Sequence, residues 1–539
     1  MAPPLHPNSG FSPETKIFHS LRPSISLPPF SLPHYVFSLL RCYPPTTASL
    51  IDATTRRRIP LSHLSHLVQS LANNLRRKFH IHKNDVAFIF SPNSIHIPVL
   101  CLSLLSLGAI VSPSNPLSSD SEISRQIHLS APVIAFASSD NAARLPPLRE
   151  GTVLLDSPEF DSLLLPCSAE FDRPEVCGDD TAAILYSSGT TGRTKGVELT
   201  HRNFIAVIAG VHAVRAVRPS PAVTLCAVPF FHVYGFVLCL REAALGGSVV
   251  VPAAAGGAGR RLQSIIGAVE EFNVTHLAVA PPLVVEMVKS PAPDKYELRS
   301  LEVVMCGGAP VASAVIERFK QRFGNISLLQ AYGLTETTAG ISRTLGANES
   351  EVRGSNGRLV SNCQARVVDP VSGHNLPPLK PGELWIRGPM VMKGYVGDKE
   401  ATAAMVDSEG WLRTGDICFF DDNGHLFYVD RMKELIKYNA YQVAPAELED
   451  LLLSHPAIVD AAVIPYPDDD VGQVPAAFVV TQPGSTINDS LIMDFVAQKV
   501  APYKKIRRVF YTDSIPKNAT GKVLRKELIK LATHVASKL

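Results

Sequence analysis

From about residue 60 the chain alternates between helical and strand patterns. Residues 61–80 carry apolar side chains at helical spacing, and Asp85-Val-Ala-Phe-Ile-Phe-Ser91 is a short apolar run of the kind that forms a buried strand. The pair then repeats, with an apolar helix predicted over 95–107, a strand over 109–112, a polar helix over 120–129 and a strand over 132–137. Strand-like runs return at 225–229, 247–252, 275–282 and 301–306, with a helical stretch over 260–272. Such alternation argues for α/β layers around mostly parallel sheets. Between about 355 and 430, shorter alternating segments (364–369, 382–388, 425–430) are separated by Gly, Pro and Asp turns and predict a β-rich subdomain. After Arg431, Pro445 at a first-turn position opens a helix over 446–454, His455-Pro456 stops it, and a strand (458–465), a helix (490–500) and a final strand (508–511) follow.

The pattern predicts an α/β chain: a large N-terminal domain of parallel α/β subdomains plus a β-rich subdomain over 46–430, and a small α+β C-terminal domain over 431–539. Ten of the 43 prolines fall in residues 1–45 without either period, which predicts an irregular arm lying across the first domain.

Composition narrows the function. Fifty-one Lys+Arg against 49 Asp+Glu leave a formal charge of +2, without the basic excess that a general nucleic-acid binder needs. The most apolar stretch, 98–111, contains Ser103 and Ser106 and is too short for a bilayer, so no transmembrane helix is expected. Nine scattered Cys without a C-x-x-C indicate neither a disulfide framework nor a zinc site, and point to a reducing compartment. Met-Ala-Pro-Pro-Leu-His at the start has no basic n-region and no continuous apolar h-region, so no secretory signal is expected. The last residues, Ser537-Lys538-Leu539, spell a tripeptide read at a free C-terminus by the peroxisomal import receptor, which makes the peroxisome the expected location.

The densest chemistry lies in Tyr186-Ser187-Ser188-Gly189-Thr190-Thr191-Gly192-Arg193-Thr194-Lys195-Gly196-Val197. Glycines let backbone amides approach a polyanion, the hydroxyls donate hydrogen bonds and Lys195 brings a positive charge, which together describe a phosphate-gripping loop. It is not a P-loop, because Thr194 precedes the lysine and Gly196 follows it. The Asp468-Asp-Asp470 run reads as a solvated turn rather than a metal site.

This loop resembles the signature of the adenylate-forming acyl-CoA synthetase superfamily, and most nearly that of its plant 4-coumarate:CoA ligase branch. Further motifs stand in that family's order: Pro229-Phe-Phe-His-Val-Tyr-Gly235, Gln330-Ala-Tyr-Gly-Leu-Thr-Glu336, Gly382-Glu-Leu-Trp-Ile-Arg-Gly388, Gly410-Trp-Leu-Arg-Thr-Gly-Asp416, Val429-Asp-Arg-Met-Lys-Glu-Leu-Ile-Lys437 and Pro516-Lys-Asn-Ala-Thr-Gly-Lys522. The resemblance implies an enzyme that joins a carboxylic acid to ATP as an acyl-adenylate and then to coenzyme A, releasing AMP and pyrophosphate. Ser187, Ser188, Gly189, Thr190, Thr191 and Lys195 would hold the ATP phosphates. Tyr332 and Thr335 would lie beside adenine and α-phosphate, and Glu336 would bind Mg²⁺ because a hard cation prefers carboxylate oxygen. Asp416 would accept the ribose hydroxyls, and Arg431 would reinforce ribose or phosphate. Lys522 would bridge the acid and the α-phosphate.

The resemblance also implies a mobile small domain that turns about Lys433, withdraws Lys522 and brings Lys437 and Gln442 to the thioester step. Asn439-Ala440 stands where the family often has Lys-Gly, a departure near the expected CoA path. His232 would gate the acyl pocket, lined by Tyr234, Met305, Gly307, Gly308, Ala309, Gln330, Ala331 and Gly333. Small residues facing Tyr234 suit a flat aromatic acid such as 4-coumarate, or a slender chain. The alternative keeps the chemistry on an oxylipin or fatty acid. A luciferase-type monooxygenase and a non-catalytic scaffold stand further off, and the scaffold would be expected to have lost Lys195 or Lys522.

Overall fold

The computed structural model describes residues 5–43, 48–166, 174–187, 194–215, 217–252, 258–438, 441–468, 472–518 and 521–536. Ser188 to Thr191, Asn439, Ala440, Asp469, Asp470 and the terminal Ser537-Lys538-Leu539 lie outside them.

Among the described residues the strands form four sheets. One has the order Gly394–Tyr395, Lys195–Thr200, Thr181–Ser187, Ile110–Pro113, Val86–Phe90, Ile134–Ala137, Thr152–Leu154. A second, of nine strands, is parallel from Ser327–Tyr332 through Val303–Cys306, His276–Val279, Val223–Cys226 and Ser248–Val251 to Ser49–Asp52. The expectation of mostly parallel sheets therefore needs amending at the edges. Lys195–Thr200 runs antiparallel to both its neighbours, and the second sheet ends in antiparallel strands, Ser342–Arg343 then Arg358–Leu359 at one edge and Arg58–Pro60 at the other. Short hairpin connections impose this, since a parallel return needs a crossover of a dozen residues or more.

The helices Leu32–Leu40, Leu61–Phe79, His96–Ser106, His201–His212 and Val233–Ala244 contribute to the largest apolar cluster. His96–Ser106 is buried on every side, from His96 through Leu105. A helix apolar all round belongs inside a large protein or a membrane. No described helix is long and apolar enough to cross a membrane.

The arm departs from its prediction. Phe11–Ser12 and Ile17–His19 form a hairpin that adds to the antiparallel sheet of Gln364–Val368, Gly382–Arg387, Leu412–Phe420 and Leu426–Arg431, with Phe18 paired to Ala365. Phe18 is fully buried and stacks on Phe420 at 4.3 Å between ring centres. Leu32–Leu40 is a true helix, capped by Ser31 and opened by Pro33 in its first turn, where the missing N–H costs nothing.

The small unit contains Ile436–Tyr438, Tyr441–Val443, Gly472–Thr481, Ile458–Asp468 and Arg508–Tyr511 in one sheet, with helices Pro445–Leu453, Asp489–Ala497 and Arg525–Ala536. It meets the larger part of the chain through Lys289 Nζ, which donates to the Val459 carbonyl at 2.5 Å, and through Ser313 N–H, which donates to Asp450 Oδ1 at 2.7 Å.

Candidate active site

A cavity of about 1020 Å³ opens along this junction. Its walls carry Gly308, Ala309, Gln330, Ala331, Tyr332 and Gly333 from the ends of two adjacent parallel strands, Asp416 and Arg431 from the antiparallel sheet, and Lys522 from the small unit. Strand ends outside a parallel sheet are where open α/β folds place their ligands.

Asp416 is 1% exposed. The Tyr332 hydroxyl donates to its Oδ2 at 2.6 Å, and Arg431 Nε stands 3.1 Å from Oδ1 as an ion pair. Oδ1 nonetheless receives no hydrogen bond aligned along a donor N–H or O–H. Burial raises the Asp416 pKa while Arg431 pulls it down. An acceptor of this kind, sealed from water and short of a donor, fits a hydroxyl-bearing ligand. Lys522 Nζ lies 3.8 Å from Glu434 Oε1, and Arg525, three residues on, bonds the other Glu434 oxygen at 2.6 Å and Glu449 at 2.6 Å. Desolvation and the nearby Arg431 lower the Lys522 pKa, as expected for a cation crowded by cations.

Ser187 and Lys195 are direct partners across the hairpin of Thr181–Ser187 and Lys195–Thr200, so the two ends of the Ser/Gly/Thr loop are held side by side. Ser187 Oγ donates to Glu336 Oε1 at 2.9 Å, and the Tyr395 hydroxyl donates to the same oxygen at 3.0 Å. Lys195 Nζ rests 4.4 Å from the centre of the Tyr395 ring. Glu336 sits in the single turn Thr335–Thr337, which is followed by Thr338 and Ala339 at φ of 52° and 62°. Left-handed backbone at a β-branched residue stores strain, and here the Thr338 hydroxyl donates to the Met390 carbonyl at 2.8 Å to hold it. Gly333 is required beneath this bend, because a Cβ there would come within 2.4 Å of the Ala339 carbonyl.

His232 caps the helix Val233–Ala244, its Nδ1 accepting from the Tyr234 N–H at 3.3 Å. Burial pushes its pKa down to about 4, which leaves a neutral imidazole. The Tyr234 hydroxyl donates to the Met305 carbonyl at 2.9 Å, and a Cβ on Gly307 would stand 3.7 Å from the Tyr234 ring and 3.5 Å from the Ala331 carbonyl. Tyr234, Met305, Gly307 and Ala331 thus stand together, with Ala331 also on the wall of the cavity and the other three behind it.

Residues 41–396 match the AMP-binding enzyme family and 447–522 match its C-terminal domain. The chain is 48% identical over 99% of its length to 4-coumarate–CoA ligase-like 9 of Arabidopsis thaliana, covering 98% of that protein. It is 43% identical to peroxisomal OPC-8:0-CoA ligase 1 of the same plant, over 97% of this chain and 98% of that protein. Its fold matches the crystal structure of ATP-bound MatB from Rhodopseudomonas palustris with a TM-score of 0.84, at 24% identity over 93% of this chain and 99% of that one. The chain belongs to the AMP-binding enzyme family.

In this AMP-binding enzyme Asp416, Tyr332, Arg431 and Lys522 line the cavity, while Ser187, Lys195 and Glu336 form a separate cluster around Tyr395, with Thr335 next to Glu336 in its turn. Lys437 and Gln442 stand elsewhere: they face each other across the hairpin of Ile436–Tyr438 and Tyr441–Val443, and both are exposed. Lys433 is exposed on the turn Met432–Glu434. Sequence reasoning missed Tyr395, Glu434 and Arg525. Tyr395 follows the quoted Gly382 to Gly388 motif by seven residues, and a Gly-Tyr pair carries no chemical signal of its own. For Glu434 and Arg525 the signal was proximity to Arg431 and Lys522.

Proposed function

We propose that this chain is an ATP-dependent carboxylic acid:CoA ligase working through an acyl-adenylate, with an aromatic acid of the hydroxycinnamate kind as its first-choice substrate. What carries the reading is the convergence of Lys522, Arg431 and the donor-short Asp416 in the cavity that also contains Gly308, Ala309 and Ala331. In the first step a carboxylate oxygen of the acid attacks the α-phosphorus of ATP, the bond to the β-phosphate oxygen breaks and pyrophosphate leaves. Lys522 meets the negative charge where carboxylate and α-phosphate approach, Asp416 accepts from the ribose hydroxyls, and Arg431, paired with Asp416, opposes the burial that favours its neutral form. Ser187, Lys195 and the loop residues Ser188, Gly189, Thr190 and Thr191 hold the phosphates, with Tyr332 and Thr335 beside the nucleotide. In the second step the CoA sulfur attacks the acyl carbon, its proton is lost, and the acyl–oxygen bond to AMP breaks. Lys437 and Gln442 serve that step after the small domain has turned about Lys433.

Glu336 fits Mg²⁺, since this ion is commonly held by one or two carboxylates together with substrate phosphates, and no cluster of three ligating side chains occurs among the described residues. When bound, the ion would offset phosphate charge. The resemblance to the peroxisomal ligase and the terminal Ser-Lys-Leu support a peroxisomal location and capture by the import receptor. That relative also favours a second substrate reading, an oxylipin or fatty acid. A panel of aromatic, oxylipin and fatty acids assayed for CoA-dependent AMP release tests the proposal: the aromatic acids are expected to turn over most efficiently. AMP release from none of them would overturn the ligase reading, and a clear lead for the fatty acids would overturn the substrate order.

A further inference from the structure

Two arginines stand beside the residues expected to line the acyl pocket. Arg241 lies two turns beyond Tyr234 on the helix Val233–Ala244, so both project from the same face about 10 Å apart along the axis. Its Nη2 stands 3.7 Å from the Met305 sulfur, the residue whose carbonyl accepts from Tyr234. Arg343 is paired directly with Ala331 across antiparallel strands, and directly opposed residues send their side chains to the same face of a sheet. Arg241 thus stands beside Met305, and Arg343 beside Ala331, two of the residues expected to line the acyl pocket.

They are not equally satisfied. Arg241 pairs with Glu242 at 2.5 Å, and Glu242 also accepts from Thr224 at 3.1 Å. Glu349 is engaged by Arg22 at 2.6 Å and by the Leu345 N–H. Arg343 has no carboxylate partner among the described residues. Its one side-chain hydrogen bond, Nη2 to the Gly210 carbonyl, is long at 3.4 Å. Three arginines thus face two carboxylates. Arg343 is half-buried, and its remaining donors are not among the buried unpaired atoms. Desolvation and the charge of Arg241 push the Arg343 pKa down to about 9, the mark of a cation lacking a counter-charge. A guanidinium left in this state is stabilised by a planar oxygen acceptor.

We propose that the acyl pocket selects acids bearing a second oxygen acceptor, such as the phenol oxygen of a hydroxycinnamate, a carbonyl or a carboxylate, at the end far from the reacting carboxylate, and that Arg343, assisted by Arg241, is the group that reads it. The inference rests on the ligase reading above and specifies the acid that the same site takes. The guanidinium discriminates because an acid without the distal oxygen leaves it without a counter-charge.

The test compares, at equal chain length, an alkanoic acid, its ω-oxo analogue and its α,ω-dicarboxylic analogue by acid-dependent exchange of pyrophosphate into ATP. For the wild-type enzyme, kcat/KM is expected to be about 10- to 100-fold higher for an oxygen-bearing acid than for the plain one. A lead for the dicarboxylic acid identifies an anion and a lead for the oxo acid a neutral carbonyl, and both support the inference. Arg343→Met should collapse the ratio toward one, while Arg343→Lys should retain part of it for the dicarboxylic acid. Should Arg343→Met show no cooperative melting, the wild-type ratio and Arg241→Met carry the test. Exchange with none of the acids, aromatic ones included, would defeat the ligase reading. Exchange that ignores or disfavours the distal oxygen, or a folded Arg343→Met variant with the ratio intact, would overturn this inference alone.

Discussion

Tyr395 ties the two sides of the phosphate end together, with its hydroxyl on Glu336 and its ring beneath the Lys195 ammonium. Removing only the hydroxyl should leave the ring contact and free Glu336 to turn. Tyr395→Phe is therefore expected to lower kcat/KM for ATP in the adenylation half-reaction about 10-fold, the scale of one hydrogen bond to a charged group. Tyr395→Leu should lose more, because the cation then loses its aromatic face as well. Wild-type ATP kinetics in both variants would show that Tyr395 does not shape the site. His232 gives a second residue-level expectation. Burial disfavours its imidazolium and brings its pKa down to about 4, so the ring stays neutral between about pH 6 and 8. It can orient a carboxylate by hydrogen bonding but cannot supply a titrating charge in that range. The pH profile of adenylation should show no limb near 6.5 that disappears in His232→Asn, and such a limb would contradict the neutral ring.

Among the elements, the turn that carries Lys522 is the most exacting. Gly521 has φ of +85°, and a Cβ there would come within 2.4 Å of Pro282 Cδ at the start of the helix Pro281–Lys289. Gly521→Ala must either distort the turn or push the small domain away from that helix, and each displaces Lys522 from the cavity. A displacement on the order of 1 Å can cost about 100-fold in rate. Adenylation measured in a single turnover should fall by about 10- to 100-fold, while thioester formation from supplied acyl-adenylate should change far less; equal losses in both would refute the assignment. Periodicity made the alternating elements legible, since strands such as Val86–Phe90 and Ile134–Ala137 are continuous apolar runs buried at every residue. It failed for the arm, because a three-residue strand is defined by its partners, and the partners of Phe18 and His19 lie at Ala365 and Gln364. The site was legible only through the order of motifs. Tyr332 and Asp416 bond each other across 84 positions of sequence, and nothing local to either residue announces the other.

For the whole molecule, address and arrangement are separate matters. A receptor that reads Ser537-Lys538-Leu539 needs the C-terminus free. A fluorescent protein fused before Met1 should accumulate in peroxisomes, and one fused after Leu539 should stay in the cytosol. Import of both would remove the tripeptide as the operative signal.

On the proposed two-step reading, the arrangement itself, with Lys522 in the cavity and Lys437 and Gln442 outside it, suits the first half-reaction and would have to be undone for the second. The helix Ser313–Arg322 has Ala312 at its N-cap and makes no side-chain cap of its own, and the carboxylate that receives the Ser313 N–H belongs to Asp450 of the small domain. Asp450 thus caps a helix of the large domain from across the junction, where both the unpaired N–H and the positive end of the helix dipole favour it. Asp450→Ala should remove about 1 kcal/mol from docking, or about fivefold in the equilibrium between docked and turned arrangements. If that equilibrium governs which step the enzyme performs, the variant should adenylate up to about fivefold more slowly and form thioester from supplied acyl-adenylate undiminished. Asp450→Asn, which keeps an acceptor but no charge, should fall between the two. Slowing of the thioester step as severe as that of adenylation would mean that Asp450 supports the fold of the small domain rather than its docking, and the melting temperature of the variant would fall with it.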